Sequence, residues 1–296
     1  DRRNQWFRKL VVSRMTNKKK WTIAISVLVV LALALGLVFF NGFKHKQGTK
    51  QTVVTVATSG SPKPFTYVDG KDQLTGQNIE LLKAVFKKLP QYKLKLEKTE
   101  FDSIFSGLNS GRYQMGVNNI AKNPERQKNY LFSDPMFKNS YVVIYKSDNK
   151  EAKQANSWDD LAGHSTVGST GVNTSTAIEE FNKKHPDKKI DLNYSEEDLT
   201  TQLQGVESGK YDFLLMDKPM FEYYQKELGL KLTGKPVSGD LEKELLSEPY
   251  SYFVFSKDQK QLQKDVNKAL KEVTGDGTSK KINEKYFGED YSPSYK

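Results

Sequence analysis

The chain has 296 residues, 46 Lys/Arg against 36 Asp/Glu and no cysteine. It is long enough for two domains, and the missing cysteines exclude disulfides, thiolate metal sites, cysteine nucleophiles and a lipid attached through a cysteine. The formal charge of +10 invites a nucleic-acid reading, but residues 1–50 hold eleven Lys/Arg and one acid, leaving 35 basic and 35 acidic residues in the remainder; a globular part that sums to zero gives no footprint for nucleic acid.

Residues 1–20 form a basic leader, expected in the cytoplasm. Trp21–Phe40 follows, twenty residues without a charge, which as a helix spans ~30 Å, the thickness of a bilayer's hydrocarbon core. Eight positive charges precede it, so the positive-inside rule sends residues 41–296 to the extracytoplasmic side. The run is longer than the ~7–15 residues of a signal h-region, and Ala32-Leu33-Ala34 lies within it. An uncleaved anchor is therefore expected, with cleavage between Gly36 and Gly42 as the alternative. Met15, directly before Thr16-Asn17-Lys18-Lys19-Lys20, is a plausible translation start, which would make residues 1–14 an upstream extension. Residues 41–51 read as a flexible linker.

Val53–Ala57 is expected as a first strand, and Phe65–Val68 as a second that turns through Asp69-Gly70. Leu81, Leu82, Val85, Phe86 and Leu89 make a helical stripe closed by Pro90, and Tyr92–Leu96 alternates as a strand. Strand, helix, strand in this order implies parallel pairing in an α/β lobe. Asp102–Met115 is echoed at Thr200–Phe213, with Ser-Gly-basic-Tyr cores at Ser110 and Ser208, 98 positions apart. In each copy a helix is expected to end at Ser-Gly, and an apolar strand follows, Met115–Ile120 or Phe213–Met216. One unit used twice predicts two similar α/β lobes with a cleft between them. Tyr141–Tyr145 is a further strand, Ser157–Gly163 a short capped helix, and Thr166–Ser169 a strand before a helix over Ala177–Phe181. Ile190–Tyr194, Phe221–Leu228, Tyr252–Phe255, Leu262–Val273 and Ser279–Phe287 complete the expected elements.

Arg126 follows the first repeat's strand in Asn123-Pro124-Glu125-Arg126, at the strand edge where open α/β sheets bind ligands. A guanidinium there can grip a carboxylate through two parallel hydrogen bonds; an ordinary surface arginine is the plain alternative. The helix start near Asn173–Ser175 offers backbone N–H groups to the same carboxylate, or is simply N-capped by Thr174 or Asn173. Asp217 ends the second repeat's strand at the position matching Asn119 and could hold an ammonium group, although surface acids are common. Phe65, Tyr67 and Phe101 could wall a pocket or belong to the core. Asp69–Asp72 has calcium-like acids without the ligand spacing, so a hairpin turn is expected. His45, His164 and His185 lack metal-ligand spacing, no catalytic or phosphate-loop motif is present, and no cofactor is expected.

Gly76-Gln77-Asn78-Ile79-Glu80-Leu81-Leu82-Lys83-Ala84, Ser110–Tyr113, Asn123–Arg126, Phe132-Ser133-Asp134-Pro135 and Tyr211–Asp217, in this order, resemble the extracellular solute-binding proteins, family 3, of polar amino-acid ABC importers. The resemblance runs from Val53 to Gly288. It implies an α/β two-lobed periplasmic-binding-protein type II fold with two hinge crossings, here preceded by an N-terminal membrane helix. Lobe 1 would be residues 52–139 and 248–296, and lobe 2 residues 140–247. By the same resemblance Arg126 binds a ligand's α-carboxylate with help from Asn173 and Thr174, and Asp217 binds its α-ammonium. Asn119 and Ala121 contribute backbone groups, while Phe65 and Phe101 face the ligand side chain. Ser59 stands where the family often carries an acid, which disfavours cationic ligands. Asn118 and Asn119, if they point inward, suit a neutral polar ligand such as cystine or glutamine. The implied protein is not an enzyme but a monomeric receptor on the extracellular side of the cytoplasmic membrane, delivering its amino acid to an ABC permease with its ATPase. A surface adhesin or sensor, or a dehydratase on the same fold, are the readings from other classes.

Overall fold

A computed structural model describes residues 50–150 and 155–295. The expected leader and membrane helix lie outside these residues, and among the described ones no helix is long and apolar enough to cross a membrane. Gln51–Lys296 forms one compact unit.

The unit has two α/β lobes, each built on its own sheet. In the first, β1 (Thr52–Thr58) pairs in parallel with β4 (Tyr92–Lys98) over its whole length, and at Val56 and Ala57 with β5 (Met115–Ile120). The helix between β1 and β4, α1 (Gln77–Lys87), buries Ile79, Leu81, Leu82, Val85 and Phe86, the spacing that gives a helix one apolar face. A hairpin of β2 (Tyr67–Val68) and β3 (Leu74–Thr75) precedes it. The Asp69 carboxylate accepts from the N–H groups of Lys71 (2.8 Å) and Gln73 (2.9 Å), so the calcium-like segment is the hairpin's turn.

After α2 (Phe101–Asn109), β5 and the short α3 (Pro124–Asn129), the chain passes through β6 (Leu131–Phe132) and β7 (Phe137–Lys138) and leaves this sheet. It returns as β13 (Tyr250–Phe255), antiparallel to β5, β6 and β7. Two final helices, α9 (Lys260–Gly275) and α10 (Thr278–Phe287), pack on α1.

In the second lobe β8 (Tyr141–Lys146) lies between β11 (Leu214–Asp217) and β12 (Leu232–Pro236), antiparallel to both. The pair β9 (Ser165–Gly168) and β10 (Asp191–Tyr194) is parallel, and a bridge from Thr166 to Phe213 joins it to β11. Around these strands stand α4 (Trp158–Leu161), α5 (Asn173–Lys184), α6 (Leu199–Glu207), α7 (Lys218–Leu228) and α8 (Gly239–Leu245). Across the two lobes, β6, β7, β12, α3 and α8 are absent from the sequence expectations. A continuous apolar core runs between the lobes, from Phe137, Phe253 and Phe255 in the first to Met216, Met220 and Phe221 in the second.

The repeated unit is visible in atomic detail. Helices α2 and α6 end at Ser110 and Ser208, whose hydroxyls each donate to the carbonyl three residues back, Gly107 O and Gly205 O, at 3.2 Å. Gly111 and Gly209 follow at φ +75° and +80°, the left-handed conformation that glycine adopts without strain. The next tyrosine in each copy folds back over a helix glycine. A Cβ on Gly107 would stand 2.2 Å from the Tyr113 ring, and one on Gly205 2.8 Å from Tyr211.

Candidate functional site

On the first lobe the site is built where β5 ends. Asn119 has φ +50°, a left-handed conformation asparagine tolerates better than most residues. It is held there from two sides: its N–H donates to Asn78 Oδ1 at 2.6 Å, and its Oδ1 accepts from the Ser251 hydroxyl. Beyond it, α3 starts with Asn123 as N-cap, its side chain accepting from Arg126 N at 2.7 Å, and with Pro124 in the first turn. This fixed start aims Arg126 back along the loop. Its Nη1 donates to Ala121 O at 3.0 Å, and the guanidinium lies over the rings of Phe105 (4.8 Å) and Phe101 (5.7 Å). Burial pushes its pKa down, opposed by Glu125 and Asp102, yet a guanidinium stays charged in any protein environment. Among the described residues Nη1 makes the only side-chain hydrogen bond of Arg126, so the rest of the fork is open to a carboxylate.

On the second lobe Asp217 ends β11 directly opposite Tyr141, the first residue of β8. Part of Asp217 remains accessible, but the group is set deep among protein atoms, and desolvation lifts its pKa to about 7 against the opposing pull of its own N–H. Burial, and then the Asp217 charge, push the Tyr141 hydroxyl up, while a hydrogen bond from the Asn173 side chain holds it down. Asp217, Tyr141 and Asn173 therefore form one polar group at the start of α5. The N-cap of α5 is Val172, with no side-chain acceptor, so neither Thr174 nor Asn173 caps the helix as the plain reading expected. A valine cap leaves first-turn N–H groups without the usual side-chain partner. Ser175, in the same turn, has a buried hydroxyl that is also without a partner.

The structure thus brings Arg126, Ala121, Asn119 and Phe101 together on one lobe, and Asp217, Asn173 and Thr174 on the other. Phe65 is a correction: it is fully buried between Phe137 (5.2 Å) and Phe287 (5.6 Å) and belongs to the core, not to a pocket wall. Asn118 does not point freely inward either. Its Oδ1 accepts from Ser59 N (2.8 Å), Ser59 Oγ (2.9 Å) and Thr58 Oγ1 (3.0 Å), and its Nδ2 donates to Ser61 O (2.8 Å). That asparagine organises the loop after β1, and Ser59, also bonded to Ser61 O, is part of the same knot. Phe105 and Tyr141 are the residues sequence reasoning missed. Phe105 lies one helical turn from Phe101, a signal that was available, whereas nothing in the sequence distinguishes Tyr141 from a core strand residue. A shallow hollow of about 540 Å³, lined by residues including Glu179, Ile190 and Tyr194, contains none of these groups. No cluster of His, Cys, Asp or Glu among the described residues could hold a metal ion.

Comparison with known proteins gives consistent results. The L-cystine-binding protein TcyA of Bacillus subtilis is 34% identical over 250 residues, covering 82% of this chain and 84% of that one. The probable amino-acid-binding protein YxeM of the same organism is 33% identical over 282 residues, covering 94% and 98%. A solved structure from work on glutathione import via GshT and the cystine ABC importer TcyBC of Streptococcus mutans is 42% identical, covers 82% of this chain and 98% of that one, and superposes with a TM-score of 0.72. Residues 54–289 match the bacterial extracellular solute-binding proteins, family 3. The chain belongs to that family and is a solute-binding protein, not an enzyme.

Proposed function

We propose that this protein is the extracytoplasmic receptor of an amino-acid ABC importer, binding the zwitterionic head of an α-amino acid between its lobes and delivering it to the permease and its ATPase. The observation that carries this reading is the placement of opposite charges on the two lobes, Arg126 in α3 just beyond β5 and Asp217 at the end of β11. The partly desolvated, open guanidinium of Arg126 stands on one lobe, and the desolvated carboxylate of Asp217 on the other. An α-carboxylate would take the free arm of Arg126 and the N–H groups at Asn173 and Thr174, and an α-ammonium would take Asp217. Closing the two lobes around the ligand removes water from both pairs, which strengthens them. Residues 21–40 would tether the receptor to the membrane, and it would work as a monomer.

Cystine is the favoured ligand, because Ser59 offers no acid to a cationic side chain and TcyA is an L-cystine-binding protein. Glutathione is a second reading, favoured by the 42% identity to the structure from the work on GshT and TcyBC. Its γ-glutamyl end carries the same free α-amino acid head, so either ligand would use Arg126 and Asp217 and differ only beyond them. Calorimetric titration of protein refolded from denaturant, with the twenty amino acids, cystine and glutathione, tests the reading. Binding of one or a few α-amino-acid heads is expected. Silence from folded protein across the panel would overturn it.

A further inference from the structure

The neutral total of the folded unit conceals a division. Residues 52–139 and 248–296 hold 22 Lys/Arg and 16 Asp/Glu, a net of +6, while residues 140–247 hold 13 and 19, a net of −6. Part of the first lobe's excess is gathered at one pole. The strands β1, β4 and β5 run parallel, so their C-terminal ends lead to the ligand loops at Ser59 and Asn119, and their N-terminal ends form the opposite pole. The chain enters there: Gln51 Nε2 donates to Pro90 O (2.9 Å) and Thr52 N to Gln91 O (3.0 Å).

Around that entry point stand the exposed Lys50, Lys87, Lys88, Lys93 and Lys95. Lys88 is paired with Asp276 at 3.1 Å, but the other four make no ion pair among the described residues. Besides Asp276, two further acids are engaged by other partners. Asp265 accepts from the Tyr92 hydroxyl, and Glu97 is engaged by Arg112. Lys93 and Lys95 alternate along the edge strand β4 and point to the same face, which keeps that edge from pairing with another chain. On that face Lys93 lies opposite Val53, which is 50% exposed. An exposed apolar side chain beside Lys93 and Lys95, with Lys50 and Lys87 at the same end of the lobe, suits a lipid interface, its charges on the headgroups and its methyls just below.

We propose that this pole of the first lobe, Val53 with Lys50, Lys87, Lys93 and Lys95, is a docking surface for anionic lipid headgroups, against which the receptor rests with its ligand loops turned away from the membrane. The location follows from where the chain enters the unit, and the proposal is independent of which ligand the cleft holds. Each lysine brought to an anionic surface is worth about fivefold in partitioning, an effect confined to roughly one Debye length and erased by salt.

The test uses residues 50–296, which keep Lys50, since the related solved chain covered to 98% stands as a folded protein of nearly the same extent. It is sedimented with phosphatidylcholine vesicles and with vesicles half phosphatidylglycerol. Binding to the anionic vesicles alone is expected, reversed by high salt and weakened at least tenfold in the variant Lys87→Glu/Lys93→Glu/Lys95→Glu. That variant's melting temperature and ligand affinity should stay unchanged, which separates docking from folding. The control Lys183→Glu/Lys188→Glu on the second lobe should bind as the unaltered protein does. No binding to anionic vesicles, equal binding to neutral ones, or equal loss in the control would overturn the proposal. So would binding to a soluble poly(glycerol phosphate) without binding to vesicles, which would assign the pole to an anionic polymer instead.

Discussion

The two copies of the helix, turn and strand unit share a scaffold and differ in what they present. Both fold a tyrosine over a helix glycine and end at Ser-Gly, and both send a strand toward the cleft. The first copy finishes in Asn118 and Asn119, whose polar groups are largely engaged by Ser59, Ser61, Asn78 and Ser251. The second finishes in Asp217, a carboxyl whose dominant influence is desolvation. One copy has spent its polar groups on holding loops, and the neighbouring α3 supplies the charge through Arg126. The other keeps its charge at the strand end itself. A repeated fold unit fixes where strand ends lie; in the proposed function Asp217 would take the cation from its strand end, and Arg126, in α3 beyond the other strand, would take the anion.

The comparison breaks most visibly at the charges. Arg126→Ala should weaken ligand binding by about 2–5 kcal/mol, because the ligand carboxylate would remain in a closed cleft without its partner; calorimetry reads this directly, and unchanged affinity would remove Arg126 from the site. The shared scaffold can be tested by asking whether its two glycines are equally tight. Gly107→Ala should cost about 1–3 kcal/mol of stability, since Tyr113 is fully buried and cannot move aside. Gly205→Ala should cost less, because the half-buried Tyr211 can yield toward solvent. Thermal melts showing equal losses would contradict that ordering.

A smaller effect sharpens the contrast between the two strand ends. With Asp217 titrating at about 7 in the free protein, only its charged form can pair with an ammonium group, so affinity should rise by about tenfold from pH 6 to pH 8 and level off above. The stability of the free protein responds with the opposite sign. A carboxyl raised above its unfolded value stabilises the fold most below about pH 4, and that contribution is lost as the pH climbs to about 7. In Asp217→Asn both dependences on this group should vanish, and an unaltered affinity profile would show that another group titrates.

Much of this was legible in the sequence, for reasons that can be named. The α1 stripe, the β1 and β4 pairing and the Ser-Gly repeat are written in local periodicity and turn chemistry. What stayed hidden depends on distant partners. Strand β12 contains Gly234 and Pro236, which argue against a strand; it exists because β8 pairs with it and because Phe221 lies where a Gly234 side chain would be, 2.6 Å from the Cβ position. Helix α8 begins at Gly239, a poor start made possible by Leu241 and Leu245, which are buried with Trp158, Leu161 and Phe181. The resemblance sets Phe65 facing the ligand, but its short segment gives no sign of Phe137 and Phe287, which close around it in the core. Position made Arg126 and Asp217 candidates and the family resemblance supplied their roles, but the aromatic bed under the arginine and the Tyr141–Asn173 contact beside the aspartate needed coordinates. The division into a basic and an acidic lobe was also masked, since composition reports only the sum.

The central claim is that one zwitterionic head is held by both lobes at once. The most direct measurement is a calorimetric comparison of the preferred ligand with its N-acetylated and its carboxyl-amidated forms. The account predicts that each blocked form loses most of the affinity, the amide because Arg126 has no carboxylate to grip and the acetyl form because Asp217 has no ammonium. Binding of either blocked form as tightly as the free ligand would contradict it.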